Sequence, residues 1–274
     1  MKNENKIINI DATSIKTKST LEKLSKLKPA GTKLILESKS DLIELIKLTL
    51  FDLTLKKVLV IKKKLKKSHP RDPYLREYII VETGKNFSKY SPDKFEKYFT
   101  NIIDNDSYYH LRSYVNTIFK EISSEYKYKK EIISNLEIRT LFKDNLILSI
   151  LSYLSINKKG KEFKKEVKKY LDEVDSHIPD LIENKPEKAL QLILFLKGNI
   201  FLLNNLKLEL LEKLKLVETK QMNHSDDYYY DWLRDSTNLD SNLISEITEM
   251  VHSIDDYVNF SSGSDLDSGY DFDY

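Results

Sequence analysis

The chain has 274 residues, of which 40% are hydrophobic and 32% charged, with only six glycines and six prolines. This length allows one large core or two small ones, and the composition favours long helices over a turn-rich β fold. The absence of cysteine excludes disulfides, thiolate metal sites and a cysteine nucleophile, and it agrees with a cytoplasmic location. Neither a secretory signal nor a membrane-spanning apolar run is predicted.

The net charge of +2 is unevenly distributed along the chain. Residues 223–274 contain 11 Asp and two Glu against one Arg, which gives −12 there and leaves +14 on residues 1–222. A basic body attracts polyanions, and a linked acidic segment competes for the same surface. The distribution predicts nucleic acid, an acidic protein or an anionic membrane surface as the partner.

The apolar periodicity predicts a mainly α fold with small β-hairpins. We expect two tandem winged-helix-like units with flanking helices and an acidic, largely disordered tail. The predicted segments are an N-terminal extension (1–17), the first unit with its following helices (18–125), the second winged-helix-like or helical unit (126–222) and the acidic tail (223–274).

In the first unit, a short helix over Ser19–Leu27 is expected to end before Pro29 and Gly31. A longer apolar helix follows, with its capping region near Ser38 and Ser40 and with Asp41 in its first turn.

A hairpin is predicted next, because the β-branched runs Val58–Ile61 and Tyr78–Val81 flank a polar, proline-containing loop at 62–76. Helix, helix and hairpin is the element order of a winged helix. Later helices are predicted from the Ser91–Pro92 pair and over Tyr108–Ile122.

The second unit repeats the first in a shorter form. The segments Tyr78–Phe87 and Tyr153–Phe163 each present a strand, a Gly-Lys-x-Phe turn and then a helix, which indicates a weak internal duplication. Gly84 and Gly160 are expected to supply turns with positive φ.

The segment Tyr153–Phe163, YLSINKKGKEF, resembles the end of bacterial winged-helix regulators, where a wing strand and a lysine-glycine turn precede the dimerisation helix. This resemblance implies a DNA-binding fold. It assigns no base-reading residue, because the helix in the recognition position, Asn145–Ser152, is almost entirely apolar.

A second resemblance rests on the order of elements. A helical run, a basic hairpin, a Lys-Lys-Gly turn and the apolar segment Pro186–Leu203 together resemble the Golgi phosphoprotein family and its bacterial relatives. That family implies a helical protein that binds phosphoinositide headgroups at membranes.

Two lysine-rich strips are the candidate polyanion-binding residues. The first strip could also be a solvated strand edge that discourages pairing, and the second could be plain helix stabilisation by alternating charges. The first consists of Lys56, Lys57, Lys62, Lys63, Lys64, Lys66, Lys67 and Arg71, and the second of Lys158, Lys159, Lys161, Lys164 and Lys165.

The acidic tail alternates carboxylates with aromatic residues, so it is either a solubilising end or a mimic of the polyanion that covers the basic surface. The residues expected to make that contact are Trp232, Asp265, Asp267, Asp271 and Asp273. The tyrosines of the body are expected to be core or half-buried, with Tyr126–Lys130 as the exception that remains free to stack on bases.

The scattered histidines form no metal or catalytic pattern, so no enzyme activity, cofactor or metal is predicted. The sequence predicts a non-enzymatic adaptor or regulator, whose basic body binds nucleic acid or an acidic protein under the control of its acidic tail. The alternatives are a peripheral membrane protein that binds anionic headgroups and a structural protein scaffold.

Overall fold

Three helices open the described part of the chain. The computed structural model describes residues 15–67, 69–105, 107–134, 136–143 and 154–205, and its first helices are α1 (Ile15–Lys26), α2 (Pro29–Leu36) and α3 (Leu42–Leu55). The cap of α3 is Asp41, and not Ser38 or Ser40 as predicted, because the Asp41 carboxylate accepts a hydrogen bond from the backbone N–H of Glu44 at 2.7 Å.

The predicted end of the first helix before Pro29 is confirmed, because α1 ends at Lys26. The sequence did not predict that Pro29 occupies the first position of a new helix, α2, where a missing N–H is tolerated. Gly31 lies inside α2 and is buried, and a Cβ atom there would come within 2.6 Å of the Ile138 Cδ1 atom. The pair therefore starts a new helix that packs closely on the body.

The predicted hairpin is confirmed, but it is longer than expected. Strands β1 (Leu59–Lys67) and β2 (Leu75–Thr83) pair antiparallel, so much of the predicted polar loop is strand. A third strand, β3 (Tyr108–His110), pairs with Ile80–Glu82 of β2 and gives the sheet the order β1-β2-β3.

The middle of the chain contains short helices. They are a 3₁₀ turn (Phe87–Lys89), α4 (Lys97–Thr100), α5 (Leu111–Glu121), α6 (Glu125–Ile132) and α7 (Leu136–Arg139).

Two boundaries in this middle region were predicted wrongly. No helix begins at Pro92, because the carboxylate of Glu96 accepts the backbone N–H of Asp93 in a tight turn before α4. The helix expected to begin at Tyr108 begins three residues later, because Tyr108–His110 is recruited as the third strand of the sheet.

Two helices follow in the C-terminal part, α8 (Lys158–Asn184) and α9 (Pro186–Leu196), before a 3₁₀ segment (Lys197–Leu202). The prediction that Pro186 opens a helix is confirmed. The turn expected at 157–163 is instead the start of α8, with the Asn157 side chain accepting from the backbone N–H of Gly160 at 2.9 Å.

Neither repeated glycine has a positive φ, contrary to the prediction. Both are required by close packing: a Cβ on Gly84 would lie 2.1 Å from the carbonyl oxygen of Lys57, and one on Gly160 would lie 2.2 Å from that of Leu141.

One hydrophobic cluster runs through the described residues, from Leu24 in α1 to Leu203 after the 3₁₀ segment. It takes in Phe99, Tyr114 and Val174, so it includes buried side chains from both predicted units. The architecture is mainly helical with one small antiparallel sheet, and its assignment to two winged-helix units remains a prediction.

Candidate interaction surface on the basic hairpin

The far end of the hairpin extends away from the body. Strand β3 pairs with β2 only as far as Ile80, so residues 63–67 and 75–79 form a two-stranded extension of the sheet. We call residues 63–79, which include the connection between these two strands, the arm. Every residue of β1 from Lys62 to Lys67 is exposed, whereas Leu59 and Ile61 at its start are buried. The arm therefore presents both of its faces to solvent.

The pleat of β1 sorts its side chains onto two faces, because directly paired residues share a face. Ile61 and Val81 are paired and buried against the core, so their face is the inner face of the sheet. Lys63, Leu65 and Lys67 continue this inner face into solvent, and Lys62, Lys64 and Lys66 lie on the opposite, outer face.

The tip of the arm is apolar. Tyr74 is 72% exposed, Leu65 64% and Leu75 59%, and Leu65 and Leu75 are diagonal neighbours on the inner face. In the part of the chain that the structure describes, the other large hydrophobic side chain with comparable exposure is Ile43, at the start of α3. Leu65 and Leu75 thus form one apolar patch on the inner face, and Tyr74 is a third exposed apolar side chain in the adjoining turn.

Cations surround this apolar tip. The arm contains six Lys and Arg residues and two acidic residues. One of these acids, Asp72, lies 3.5 Å from the guanidinium of Arg76 and also accepts the backbone N–H of Tyr74, which orders the turn. The arm therefore carries an excess of positive charge close to exposed apolar surface.

Lysines of the outer face rest on an aromatic ring. The ammonium groups of Lys64 and Lys66 lie 4.7 and 5.3 Å from the centre of the Tyr108 ring, and Lys66 donates a hydrogen bond to the Tyr108 hydroxyl at 2.6 Å. That hydrogen bond and the two ammonium charges lower the pKa of Tyr108. Beside it, the rings of Tyr78 and His110 stack edge to face at 4.9 Å.

Lys56, predicted as a polyanion-binding residue, lies inside the protein. Its ammonium donates to the Asp52 carboxylate at 2.5 Å and lies 3.6 Å from Glu96. Lys56 is 9% exposed and Asp52 2%, so both charges are shielded from solvent. The prediction for Lys56 is corrected, because its charge is already matched by buried carboxylates.

Glu96 is the centre of this buried cluster. Its side chain is fully buried, forms an ion pair with Lys28 at 2.7 Å and accepts hydrogen bonds from the Tyr90 hydroxyl at 2.8 Å. Burial would raise the pKa of Glu96, but the charges of Lys56 and Lys28 hold this pKa below its ordinary value. Burial raises the pKa of Tyr90, so its hydroxyl stays protonated and donates.

Lys57 lies at the junction of α3 and β1, with a left-handed φ of 53°. Its carbonyl oxygen accepts the backbone N–H of Asn86, and Gly84 packs directly on the same carbonyl. This residue therefore belongs to the base of the hairpin and not to the arm.

The second lysine strip lies on another part of the body. Lys158, Lys159, Lys161 and Lys165 are exposed and Lys164 is half-buried, all in the first turns of α8. That helix packs against α1, α2 and α9, whereas the hairpin packs against α3 and α5. The two strips are thus carried by different sets of elements.

The remaining predicted residues are buried, exposed or outside the described part of the chain. Tyr128, expected to be free for stacking, is completely buried, and its hydroxyl lies 3.1 Å from that of Thr49. Arg71 is exposed in the turn of the arm. The predicted tail contacts lie outside the described residues: Trp232, Asp265, Asp267, Asp271 and Asp273.

Sequence reasoning missed the apolar tip and the role of β3. Leu65 and Leu75 lie in the segment predicted as a polar loop, because a single leucine among five lysines shows no two-residue period. His110 had been treated as isolated, because its position beside Tyr78 follows from a strand pairing between distant segments.

Within the described residues, no group of three His, Cys, Asp or Glu side chains is arranged to hold a metal ion. None of the helices placed by the structure combines the length and apolarity needed to cross a bilayer. No family model, curated protein or solved structure matches this chain significantly.

Proposed function

We propose that this protein is a non-enzymatic peripheral protein that binds an anionic membrane surface through the arm. The observation that carries the proposal is the exposure of three apolar side chains, Leu65, Tyr74 and Leu75, among the cations of the arm. Of the partners that the sequence predicts, we favour an anionic membrane over nucleic acid. Leucine side chains gain nothing from contact with a phosphate backbone, so binding to nucleic acid does not explain why they are exposed.

Two physical effects favour this contact. Burying a leucine side chain contributes about 1.5 to 3 kcal/mol, and a cation near an anionic leaflet contributes about 1 kcal/mol. Leu65 and Leu75 would enter the interfacial layer while neighbouring lysines such as Lys67 extend their ammonium groups to the headgroups. Tyr74 is suited to the boundary between the acyl chains and the headgroups of the membrane, because its ring is apolar and its hydroxyl is polar.

The proposal is tested by flotation of the full chain with vesicles of phosphatidylcholine, with and without phosphatidylserine. We expect the protein to float with the anionic vesicles and to stay behind with the neutral ones, and high salt to weaken the binding. Equal recovery from both kinds of vesicle, or no recovery from either, would overturn the proposal.

Paired variants separate the arm from the rest of the surface. The change Leu65→Ser with Leu75→Ser should reduce binding about tenfold or more, because it removes most of the apolar contact. Ile43→Ser removes a comparably exposed apolar side chain on α3 and should leave binding unchanged.

The charge requirement has its own matched control. Lys66→Glu with Lys67→Glu should abolish flotation with anionic vesicles, because the arm then loses its positive charge. Lys158→Glu with Lys159→Glu makes the same charge change on α8 and should have a much smaller effect.

A second candidate function is binding of single-stranded nucleic acid on the outer face. The specific observation in its favour is the set of aromatic rings beside lysines, with Tyr108 under Lys64 and Lys66, and Tyr78 against His110. A titration with a single-stranded oligonucleotide tests it. Salt-sensitive binding that is lost in Tyr108→Ala and kept in Leu65→Ser would favour this function over the membrane.

A further inference from the structure

The outer edge of the sheet is open to a further strand. Among the described residues, β1 pairs with β2 alone and forms one edge of the sheet. The N–H and C=O groups on such an edge are a template for an added extended segment. The side chains of β1 alternate between the two faces of the sheet. A segment that pairs with this edge would therefore need side chains that complement both faces.

A segment of the same chain has the complementary pattern. Residues 270–274 read Tyr, Asp, Phe, Asp, Tyr, which is the two-residue period of a strand. In an extended conformation, Asp271 and Asp273 would share one face, and the three aromatic side chains would share the other.

We propose that residues 270–274 add to the free edge of β1 as a fourth strand. Asp271 and Asp273 then lie beside the lysines of the outer face, Lys62, Lys64 and Lys66. The aromatic side chains lie on the inner face beside Leu65, which is 64% exposed without them. Opposite charges and apolar neighbours on adjacent strands both stabilise such pairing.

The length of the chain permits this contact. Residues 206–269 separate the last described residue from the proposed strand, and their contour length is about 200 Å. The tether also keeps the acidic segment at high effective concentration near the arm. The pairing of residues 270–274 with β1 can therefore form within one molecule.

Docking of this strand covers part of the surface that the arm uses. It adds negative charge beside the lysines and shields Leu65, so it would compete with an anionic membrane. This regulatory consequence rests on the proposed function, whereas the strand pairing itself does not.

The pairing is tested by disulfide cross-linking, because the native chain contains no cysteine. The full-length double variant Lys64→Cys with Asp271→Cys places both thiols on the outer face and should form an intramolecular disulfide under mild oxidation. Lys64→Cys with Phe272→Cys places them on opposite faces and should form little or none.

The outcomes of this experiment are separable. Equal cross-linking of the two double variants, or none in either, overturns the proposed strand. A disulfide between two chains, seen as a dimer on a non-reducing gel, overturns the intramolecular contact in favour of a second copy.

Flotation then tests the competition separately. Asp271→Lys with Asp273→Lys should bind anionic vesicles about tenfold more tightly than Asp255→Lys with Asp256→Lys, which makes the same charge change outside the proposed strand. Cross-linking is measured without lipid. If the strand cross-links but even Asp271→Lys with Asp273→Lys fails to float, the membrane function is refuted and the strand is left in place. Equal flotation of the two variants refutes the competition.

Discussion

Lys56 and Lys66 belong to one lysine-rich run, yet the fold gives them opposite environments. Lys56, at the end of α3, is enclosed with Asp52 and Glu96, whereas Lys66, in the arm, is exposed beside Tyr108. The difference arises because the core cluster reaches Ile61 and ends there on β1. A lysine at the start of this run therefore stabilises the body, whereas a lysine near its end is accessible to a binding partner.

This comparison separates two kinds of electrostatic contribution. Removing one partner from a buried ion pair leaves an unmatched charge and costs about 3 to 5 kcal/mol, whereas an exposed pair is worth about 1 kcal/mol or less. Stability should therefore depend on the buried cluster, and binding should depend on the arm.

The largest expected effect is that of Glu96→Gln. Lys56 keeps Asp52 and Lys28 keeps Asp93, but both lose the buried carboxylate they share. We therefore expect the free energy of unfolding to fall by about 3 kcal/mol in denaturant titrations, the lower end of the range for a broken buried pair. Glu82→Gln removes the half-buried partner of the exposed Lys62 and should cost about 1 kcal/mol or less. Similar losses in the two variants would show that the buried cluster around Glu96 contributes no more to stability than the ion pair of Lys62.

The next largest effect concerns the base of the hairpin. Gly84→Ala would place a Cβ atom 2.1 Å from the carbonyl oxygen of Lys57, which is far closer than two such atoms can approach. The backbone must shift, so we expect a loss of about 1 to 3 kcal/mol in the free energy of unfolding. A neutral result would show that the base adjusts freely and does not fix the arm.

The stability should also depend on pH in a defined direction. Because the folded-state pKa of Glu96 is lowered, its contribution is complete above the ordinary pKa of 4.5 and is lost as the pH falls through the folded value. Denaturant titrations across this acidic range should show a decline that is reduced in Glu96→Gln. An equal decline in both proteins would assign the acid sensitivity to other carboxylates.

The smallest effect on stability is expected in the arm. Leu65→Ser with Leu75→Ser changes exposed side chains, so the free energy of unfolding should change by about 0.5 kcal/mol or less. A loss of several kcal/mol, measured by thermal or denaturant unfolding, would show that the tip packs against part of this molecule.

The sequence predicted the features that short-range patterns determine. The existence of the hairpin and the start of α9 at Pro186 each depend on neighbouring residues. The start of α2 at Pro29 also depends on neighbouring residues, but proline is found both just after the end of a helix and at the first position of a helix.

The features that the sequence did not predict depend on distant contacts. Lys56 is enclosed because Glu96, 40 residues later in the chain, folds over it. Tyr108–His110 is a strand because β2 offers an edge, although its own periodicity also fits a helix. The apolar tip was hidden because five lysines within residues 62–67 suggested a loop. The strand pairing places Leu65 on the inner face, next to Leu75 of the distant strand.

The most direct test of membrane binding by the arm is a fluorescent probe at its tip. The cysteine-free chain allows one labelled thiol at Tyr74→Cys and, as a control, at Lys159→Cys on α8. With an environment-sensitive dye, we predict a blue shift and brighter emission at the tip on adding phosphatidylserine-containing vesicles, and little change at the control position. An unchanged spectrum at the tip, or equal shifts at both positions, would contradict the account.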